Sequence, residues 1–343
     1  MFFLLMNLSR FKQITSRYAS LRIAIVGDFC LDRYLEIDPR KQETSLETGL
    51  PVHNVVNVRA QPGAAGTILN NLVALGLGEI FPVGFCGEDG EGFELMRALE
   101  AKPGVKLSQF VQTTERRTFT YCKPLVVTPG MPPVELNRLD SKNWTRTPAL
   151  LQGQLINHLL TLAESADAVI LMDQVDAPET GVVTSKLLDA VKELAKRKPG
   201  LPILADSRRG LRNFPPVVFK MNAAELSALS GTKAGLSLDE IKEIALTLAR
   251  EHARAVFVTV AERGIIGASP WGDTEHVPAL PIRGPIDIVG AGDAVTANLA
   301  AALATGAKLR EAVELANAAA SVVIHQLGTT GTASVPQIRD VLI

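Results

Sequence analysis

The sequence predicts an α/β protein: a mostly parallel sheet flanked by helices, with a small β-sheet lid inserted into it. Three observations carry this reading. Residues 21–26 form a short, β-branched apolar run ending in Gly27-Asp28, the pattern of a buried strand and its turn at the start of a parallel sheet. From about residue 148 onward, apolar runs of strand length alternate with stretches of helical period. Between these parts, residues 105–111, 117–127 and 134–139 read as three extended segments in a row. Consecutive strands inside an alternating chain signal a second sheet.

The bulk numbers fit this class. A length of 343 residues favours about two domains, although one α/β unit reaches this size. A hydrophobic content of 47% supports a large core. The net charge of -1 gives no electrostatic reason to expect nucleic acid or an anionic membrane as partner. Cys30, Cys86 and Cys122 are widely spaced and form no C-x-x-C, which suits free thiols in a reducing cytoplasm. Residues 1–6 are apolar, but no basic region precedes them and no small-residue cleavage site follows. They are therefore expected to be a helix packing on the body or a mobile end, not a signal peptide, at the start of an N-terminal extension spanning residues 1–20. No apolar run reaches membrane-spanning length.

Taken in order, the first strand ends in Gly27-Asp28-Phe29-Cys30-Leu31-Asp32. A dinucleotide fold would carry G-x-G-x-x-G here, so a nicotinamide oxidoreductase is disfavoured. Asp28 and Asp32 fall at the carboxyl end of that strand, where α/β sheets bind ligands, and carboxylates suit the donor hydroxyls of a sugar. Turn and surface roles would also explain them. Residues 33–60 lack helical period and read as a projecting flap, with a strand near 52–58. Pro62-Gly63-Ala64-Ala65-Gly66-Thr67 opens a helix running to Gly76; its small residues allow close approach of a ligand or of another helix. Residues 83–90 are a strand and turn before a helix. The lid is expected to comprise about 33–60 and 105–137, within a domain spanning 21–343. Further on, a strand near 217–220 runs into Met221-Asn222-Ala223-Ala224-Glu225, where Asn222 and Glu225 suit a helix cap. Ser237 and Glu240 form a capping box. A strand near 255–260 enters Ala261-Glu262-Arg263-Gly264, and two helices follow, about 291–305 and 309–326.

The stretch Asp287-Ile288-Val289-Gly290-Ala291-Gly292-Asp293 leads into the second-last of these apolar helices. Its glycines allow a tight turn, and a helix N-terminus beyond it presents unpaired N–H groups that bind anions, phosphate above all. Asp293 gains nothing from an anionic ligand. It makes sense as the group that takes a proton from a hydroxyl attacking phosphorus. A plain first-turn aspartate, favoured by the helix dipole, is the structural alternative.

These residues together resemble the ribokinase (PfkB) family of sugar kinases. Asp287-x-x-Gly290-Ala291-Gly292-Asp293 is similar to that family's C-terminal signature. Gly27-Asp28, the Gly63 loop, Val83-Gly84-x-x-Gly87-x-Asp89-x-x-Gly92, Asn222-x-x-Glu225 and Gly328-Thr329 follow in the family's order, over about residues 21–340. Within the family the likeness is nearest to the heptose-7-phosphate kinases. It rests on Leu31-Asp32-Arg33-Tyr34, Ser45-x-Glu47-x-x-x-Pro51-Val52, Arg138-Leu139-Asp140, Val258-Thr259-x-x-Glu262-x-Gly264 and Ala316-Asn317-Ala318-Ala319-Ala320. Some members of that group carry a nucleotidyltransferase domain downstream; with its end at Ile343, a stand-alone kinase is expected. Two departures lie on the sugar side. Gly63-Ala64 and Thr67 stand where the family has two glycines and an asparagine, and residues 118–122 do not follow the heptose kinase pattern.

The resemblance implies a ribokinase-like three-layer αβα sandwich and an ATP-dependent carbohydrate kinase. Asp293 would be the base, with the amides of Gly290, Ala291 and Gly292 holding the phosphoryl group. Asn222 and Glu225 would organise Mg2+ through water, and Thr259, Glu262, Gly264 and Asn317 would lie on the nucleotide side. Asp28, Asp32, Gly63, Ala64 and Thr67 would line the sugar pocket. Arg40, Lys41, Arg117 and Lys123 are lid candidates for an acceptor phosphate, and Asp287 with the Gly328 region is a candidate for K+. The resemblance further implies a homodimer joined through the lids. A heptose phosphate, a ketohexose, ribose or a keto-deoxy acid all remain open as acceptor, as does a binding protein without catalysis.

Overall fold

The strand Arg22–Gly27 is the axis of the fold. The computed structural model describes residues 6–343, so the expectation for residues 1–5 lies outside the described residues. Among these, the main sheet has nine strands. Their order is Thr274–Val277, Ile265–Ala268, Val256–Thr259, Val218–Asn222, Ile203–Ser207, Ala168–Asp173, Arg22–Gly27, Glu79–Gly87 and Phe110–Thr113. All neighbours are parallel except the pairs made by Ile265–Ala268, which are antiparallel.

Period-2 alternation explains why the strands read as continuous apolar runs. Ile23 and Ile25 point into one core with Ile80 and Ile170; Ala24 and Val26 point into the other with Val169 and Leu171. Helices Leu8–Thr15, Ala65–Ala74, Gly90–Glu100, Ala291–Ala304, Leu309–Ile324 and Val335–Leu342 cover the first face. Helices Ala149–Ala163, Ser185–Arg197, Ala223–Ser230 and Leu238–His252 cover the second. The result is the three-layer αβα sandwich the resemblance implies. Helix Ala291–Ala304 is buried from Ala294 to Ala302 without a gap, which its alanine content allows. No described helix is long and apolar enough to cross a membrane.

Arg22–Gly27 lies between strands that follow it at very different points of the chain. The chain leaves it to one side and returns on the other, which opens a crevice at the carboxyl ends. The lid rises from that crevice. Only Asp28 separates Arg22–Gly27 from the lid strand Phe29–Ile37, which pairs antiparallel with Val55–Ala64 and parallel with Phe119–Val126. Leu139–Ser141 and Val134–Glu135 extend the sheet beyond Phe119–Val126.

The lid therefore differs from the expected 33–60 and 105–137. It starts at Phe29, runs through Ala64 and ends at Ser141. Phe110–Thr113 belongs to the main sheet, beside Glu79–Gly87. An extended segment shows a strand's period wherever it pairs, and the partner strand is a tertiary matter. The Asp89-x-x-Gly92 motif marks the junction. Asp89 caps helix Gly90–Glu100 through the Gly92 N–H, and it also accepts the Thr118 hydroxyl at 2.6 Å and the Thr118 N–H at 3.0 Å. This ties the helix to the entry of the lid.

The lid has two unlike faces. Register puts Leu35 opposite Val58 and Pro124, and Cys122 opposite Leu139, on one side. Val56, Val58, Val134 and Leu139 are exposed. Asp32 opposite Gln61 and Tyr121, and Tyr34 opposite Arg59 and Lys123, make the other side polar. That polar side carries the lid's share of the site.

Candidate active site

Gly290 caps helix Ala291–Ala304 with φ +83°, a left-handed conformation that a glycine adopts without strain. A side chain there would also meet the Thr330 Cβ and Cα at 3.3 and 3.4 Å. Of the three amides expected in the cradle, that of Ala291 turns back to the Ile288 carbonyl at 3.2 Å. The amides of Gly292 and Asp293 complete the open helix start. The Asp293 carboxyl is pushed up to about 7 by burial, with Asp206 and Asp32 adding to the rise and Lys220 opposing it. A carboxyl near 7 is poised to exchange a proton at neutral pH.

Beneath the cradle lies a group that sequence reading missed. Lys220 donates to Asp206 at 2.7 Å, and the Thr296 hydroxyl donates to the same oxygen at 2.7 Å. Both charged residues are buried. A methyl placed on Gly292 would stand 3.2 Å from the Lys220 Nζ, so the ammonium lies directly against the glycine loop. Burial pulls the Lys220 pKa down, but the Asp206 carboxylate more than offsets this and holds it above its ordinary value. The signal was present: Lys220 interrupts the apolar run of residues 217–221, two residues before Asn222.

Asn222 and Glu225 make a full capping box: the Glu225 N–H donates to Asn222 Oδ1 at 2.9 Å, and the Asn222 N–H donates to Glu225 Oε2 at 2.7 Å. Burial raises the Glu225 pKa, the Asn222 N–H opposes, and Asp206 adds to the rise. Register sets Asn222 beside Thr259. Gly264, at φ +96°, has the Val277 carbonyl against its Cα, so that turn admits no side chain; Glu262 is exposed on it. Asn317 is buried and donates its amide to the Pro278 carbonyl at 2.8 Å. It thus holds the segment that leads to Asp287. Among the described residues no cluster of three His, Cys, Asp or Glu forms a metal cage. Hard oxygens of Glu225, Asn222 and Asp206 beside an open helix start fit a hydrated magnesium that arrives with phosphates, since that ion keeps several waters.

Where the main sheet meets the lid, Asp32 and Asp28 part company. Asp28 has no exposed surface, and both carboxylate oxygens accept backbone N–H groups: Gln174 at 2.9 Å, Val175 at 3.2 Å and Val182 at 2.7 Å. Burial pushes its pKa up to about 6, Asp173 adds to this, and the three N–H groups oppose it. Asp28 thus folds loop 174–182 against the sheet, and this engagement corrects its expected place on a sugar. Asp32 faces the crevice with Lys123 at 3.3 Å, and Gly63 leaves room for its carboxylate. Thr67 is buried in the first turn of Ala65–Ala74. Of the basic lid candidates, Lys123 alone among the described residues meets Asp32. Arg40 pairs with its neighbour Asp38, Lys41 is exposed, and exposed Arg117 lies toward Asp89. Asp287 accepts the N–H groups of Val289 at 3.0 Å and Gly328 at 3.2 Å, joining the two C-terminal loops.

Ala64 has φ +53° and ψ -117°, a conformation that glycine holds more easily. Such strain is worth about 1–3 kcal/mol, against up to about 1 kcal/mol of extra chain entropy that a glycine loses on folding. Ala64→Gly is therefore expected to raise the melting temperature, read by calorimetry. An unchanged or lower value would mean that packing of the methyl outweighs the strain.

An αβα sandwich with a β lid over its carboxyl-end crevice, and an aspartate in the first turn of a glycine-capped helix, together define a class: the ribokinase-like carbohydrate kinases. The chain belongs to the pfkB family of carbohydrate kinases, whose model matches residues 22–336. It is 32% identical to the bifunctional protein HldE of Hyphomonas neptunium over 97% of this chain and 66% of that protein. It is 30% identical to that of Trichlorobacter lovleyi over 93% and 62%. The chain thus spans somewhat under two thirds of the length of these relatives. Its fold is shared by Arabidopsis thaliana ribokinase complexed with ribose and ATP, at a TM-score of 0.69, 19% identity and coverage of 94% and 98%. Phosphofructokinase-2 from Escherichia coli in complex with potassium gives 0.70, 19%, 94% and 98%.

Proposed function

We propose that the chain transfers the γ-phosphoryl group of ATP to a hydroxyl of a sugar or sugar phosphate. The observation that carries this is the convergence of Asp293, Lys220 and Asp32 on one crevice. Asp32 raises the Asp293 pKa from the lid side while Lys220 lowers it from the sheet side. The acceptor hydroxyl, held through Asp32 and the Gly63 loop, attacks the γ-phosphorus. Its proton passes to Asp293, the bond to the β-phosphate oxygen breaks, and ADP leaves. Charge spreading over the phosphoryl oxygens meets the Gly292 and Asp293 amides and the Lys220 ammonium. Magnesium, when bound, would neutralise the phosphates; Glu225 and Asn222 are the residues to hold its waters.

Thr259, Glu262, Gly264 and Asn317 serve the nucleotide side of this reading. Asp287 and the Gly328 loop are its candidates for a monovalent cation, and residues 21–343 its kinase domain. A heptose phosphate is the favoured acceptor, on the residues similar to heptose-7-phosphate kinases; Ala64 and Thr67 keep other sugars open. The test is ADP release on a panel of sugars and sugar phosphates with ATP and magnesium. ADP formed with heptose 7-phosphate but not with unphosphorylated sugars supports the full reading. Turnover of plain sugars alone removes the heptose phosphate, and no acceptor-dependent ADP removes the kinase.

The apolar lid face supports a homodimer paired lid to lid, since a small sheet gains by covering such a face. Val58→Lys, at a residue 46% exposed on that face, is expected to convert a dimer to monomer in light scattering at micromolar concentration. A monomeric parent protein would remove the dimer, and a variant that stays dimeric would place the interface elsewhere.

A further inference from the structure

The lid touches the phosphate end of the site at one point that no motif marks. The Gln61 side-chain amide donates to the Thr330 hydroxyl at 2.6 Å, across 269 residues of sequence. Gln61 lies opposite Asp32 in the lid register, on the polar face that carries Lys123. Thr330 lies against Gly290, which has no side chain to keep it away.

The loop that carries Thr330 is held from several directions. Gln326 receives the Thr332 N–H at 3.1 Å and donates to the Thr332 carbonyl at 2.7 Å. Asn71, from the helix that starts at the Gly63 loop, reaches the Gly331 carbonyl at 3.4 Å. The Gly328 N–H donates to Asp287. The loop is thus fixed to the body, and Gln61 is the lid's own attachment to it.

Resting on the kinase reading, we propose that Gln61 and Thr330 are positioning residues whose hydrogen bond holds the lid's acceptor-binding face in register with the phosphate cradle. Neither residue reaches the reacting atoms. The bond sets the distance between an acceptor held at Asp32 and a phosphoryl group held above Gly290. When it is broken, the lid strand and the glycine loop move independently. The near-attack geometry is then populated less often, and water gains access to the phosphoryl group.

The test compares Gln61→Leu, Thr330→Val, the double variant and Thr330→Ser, which keeps the hydroxyl. Each is assayed for kcat, acceptor KM, acceptor-independent ATP hydrolysis and melting temperature. Loss of one neutral hydrogen bond predicts a kcat about tenfold lower in either single variant. The double variant should be no slower than the singles, because both remove the same bond. Acceptor KM and melting temperature should stay near the parent values, the hydrolysed share of ATP should rise, and Thr330→Ser should behave as the parent. A kcat and hydrolysis unchanged in Gln61→Leu, or single effects that multiply in the double variant, would overturn the link. Amide hydrogen exchange supplies a readout independent of turnover. Residues 55–64 of the lid strand should exchange faster in Gln61→Leu than in the parent, and equal exchange overturns the proposal even where no acceptor is known. A parent protein inactive on every acceptor sinks the kinase reading, while faster exchange in the variant would still uphold the mechanical link.

Discussion

Asp293→Asn is expected to fold and to transfer phosphate at least about a hundredfold more slowly, the lower range for a positioned base. Asparagine keeps the volume and a hydrogen bond but cannot take the proton. In the parent protein, acceptor-dependent rate should climb as pH rises through about 7 and level above it, since the carboxyl must be ionised to act. Stability should move the other way. A carboxyl whose pKa is raised by folding keeps its proton in the folded state where the unfolded chain has released it. Its favourable contribution is complete below the unfolded value near 4 and is lost as pH rises through about 7. Asp293→Asn should therefore melt higher than the parent above pH 7 and close to it near pH 4. Near-normal turnover in this variant would remove Asp293 from the mechanism, and a melting difference independent of pH would contradict the burial of its charge.

Lys220→Met should have the second large effect, on both rate and stability. It leaves the Asp206 carboxylate buried with the Thr296 hydroxyl as its remaining side-chain hydrogen-bond partner among the described residues. Removing one member of a buried pair typically destabilises by about 3–5 kcal/mol. It also removes an ammonium that lies against the glycine loop, and loss of a single such donor lowers kcat by about 100-fold or more. Adding Asp206→Asn separates the two roles. The double variant should regain much of the melting temperature, because no unpaired charge remains, but none of the rate. Recovery of turnover along with stability would reduce Lys220 to a structural residue.

Local signals were sufficient for much of the molecule. Apolar strand runs, the Ser237–Glu240 box and the Gly290 turn are decided within a few residues, and each appears as read. The same holds for Asp293 in the first turn of its helix. Asn222 and Glu225 were legible as a cap for the same reason, because the partners are three residues apart.

The features that were misread or missed depend on partners far away in sequence. Asp28 looked available to a ligand, yet its oxygens are taken by amides about 150 residues downstream. Phe110–Thr113 looked like lid because an extended run does not announce its neighbour. Arg40, Lys41, Arg117 and Lys123 read alike as lid cations, and the pairing of Lys123 with Asp32 came from the fold. The Lys220–Asp206–Thr296 group and the Gln61–Thr330 bond join five separate segments of the chain. By itself, then, the sequence determined the α/β class and the glycine loop with its aspartate, because periodicity, turns and caps are short-range, and its motifs carried the resemblance to the family. Only the tertiary structure decided which charges face the crevice and which lie buried against amides, because burial and hydrogen-bond partners arise when distant segments pack together.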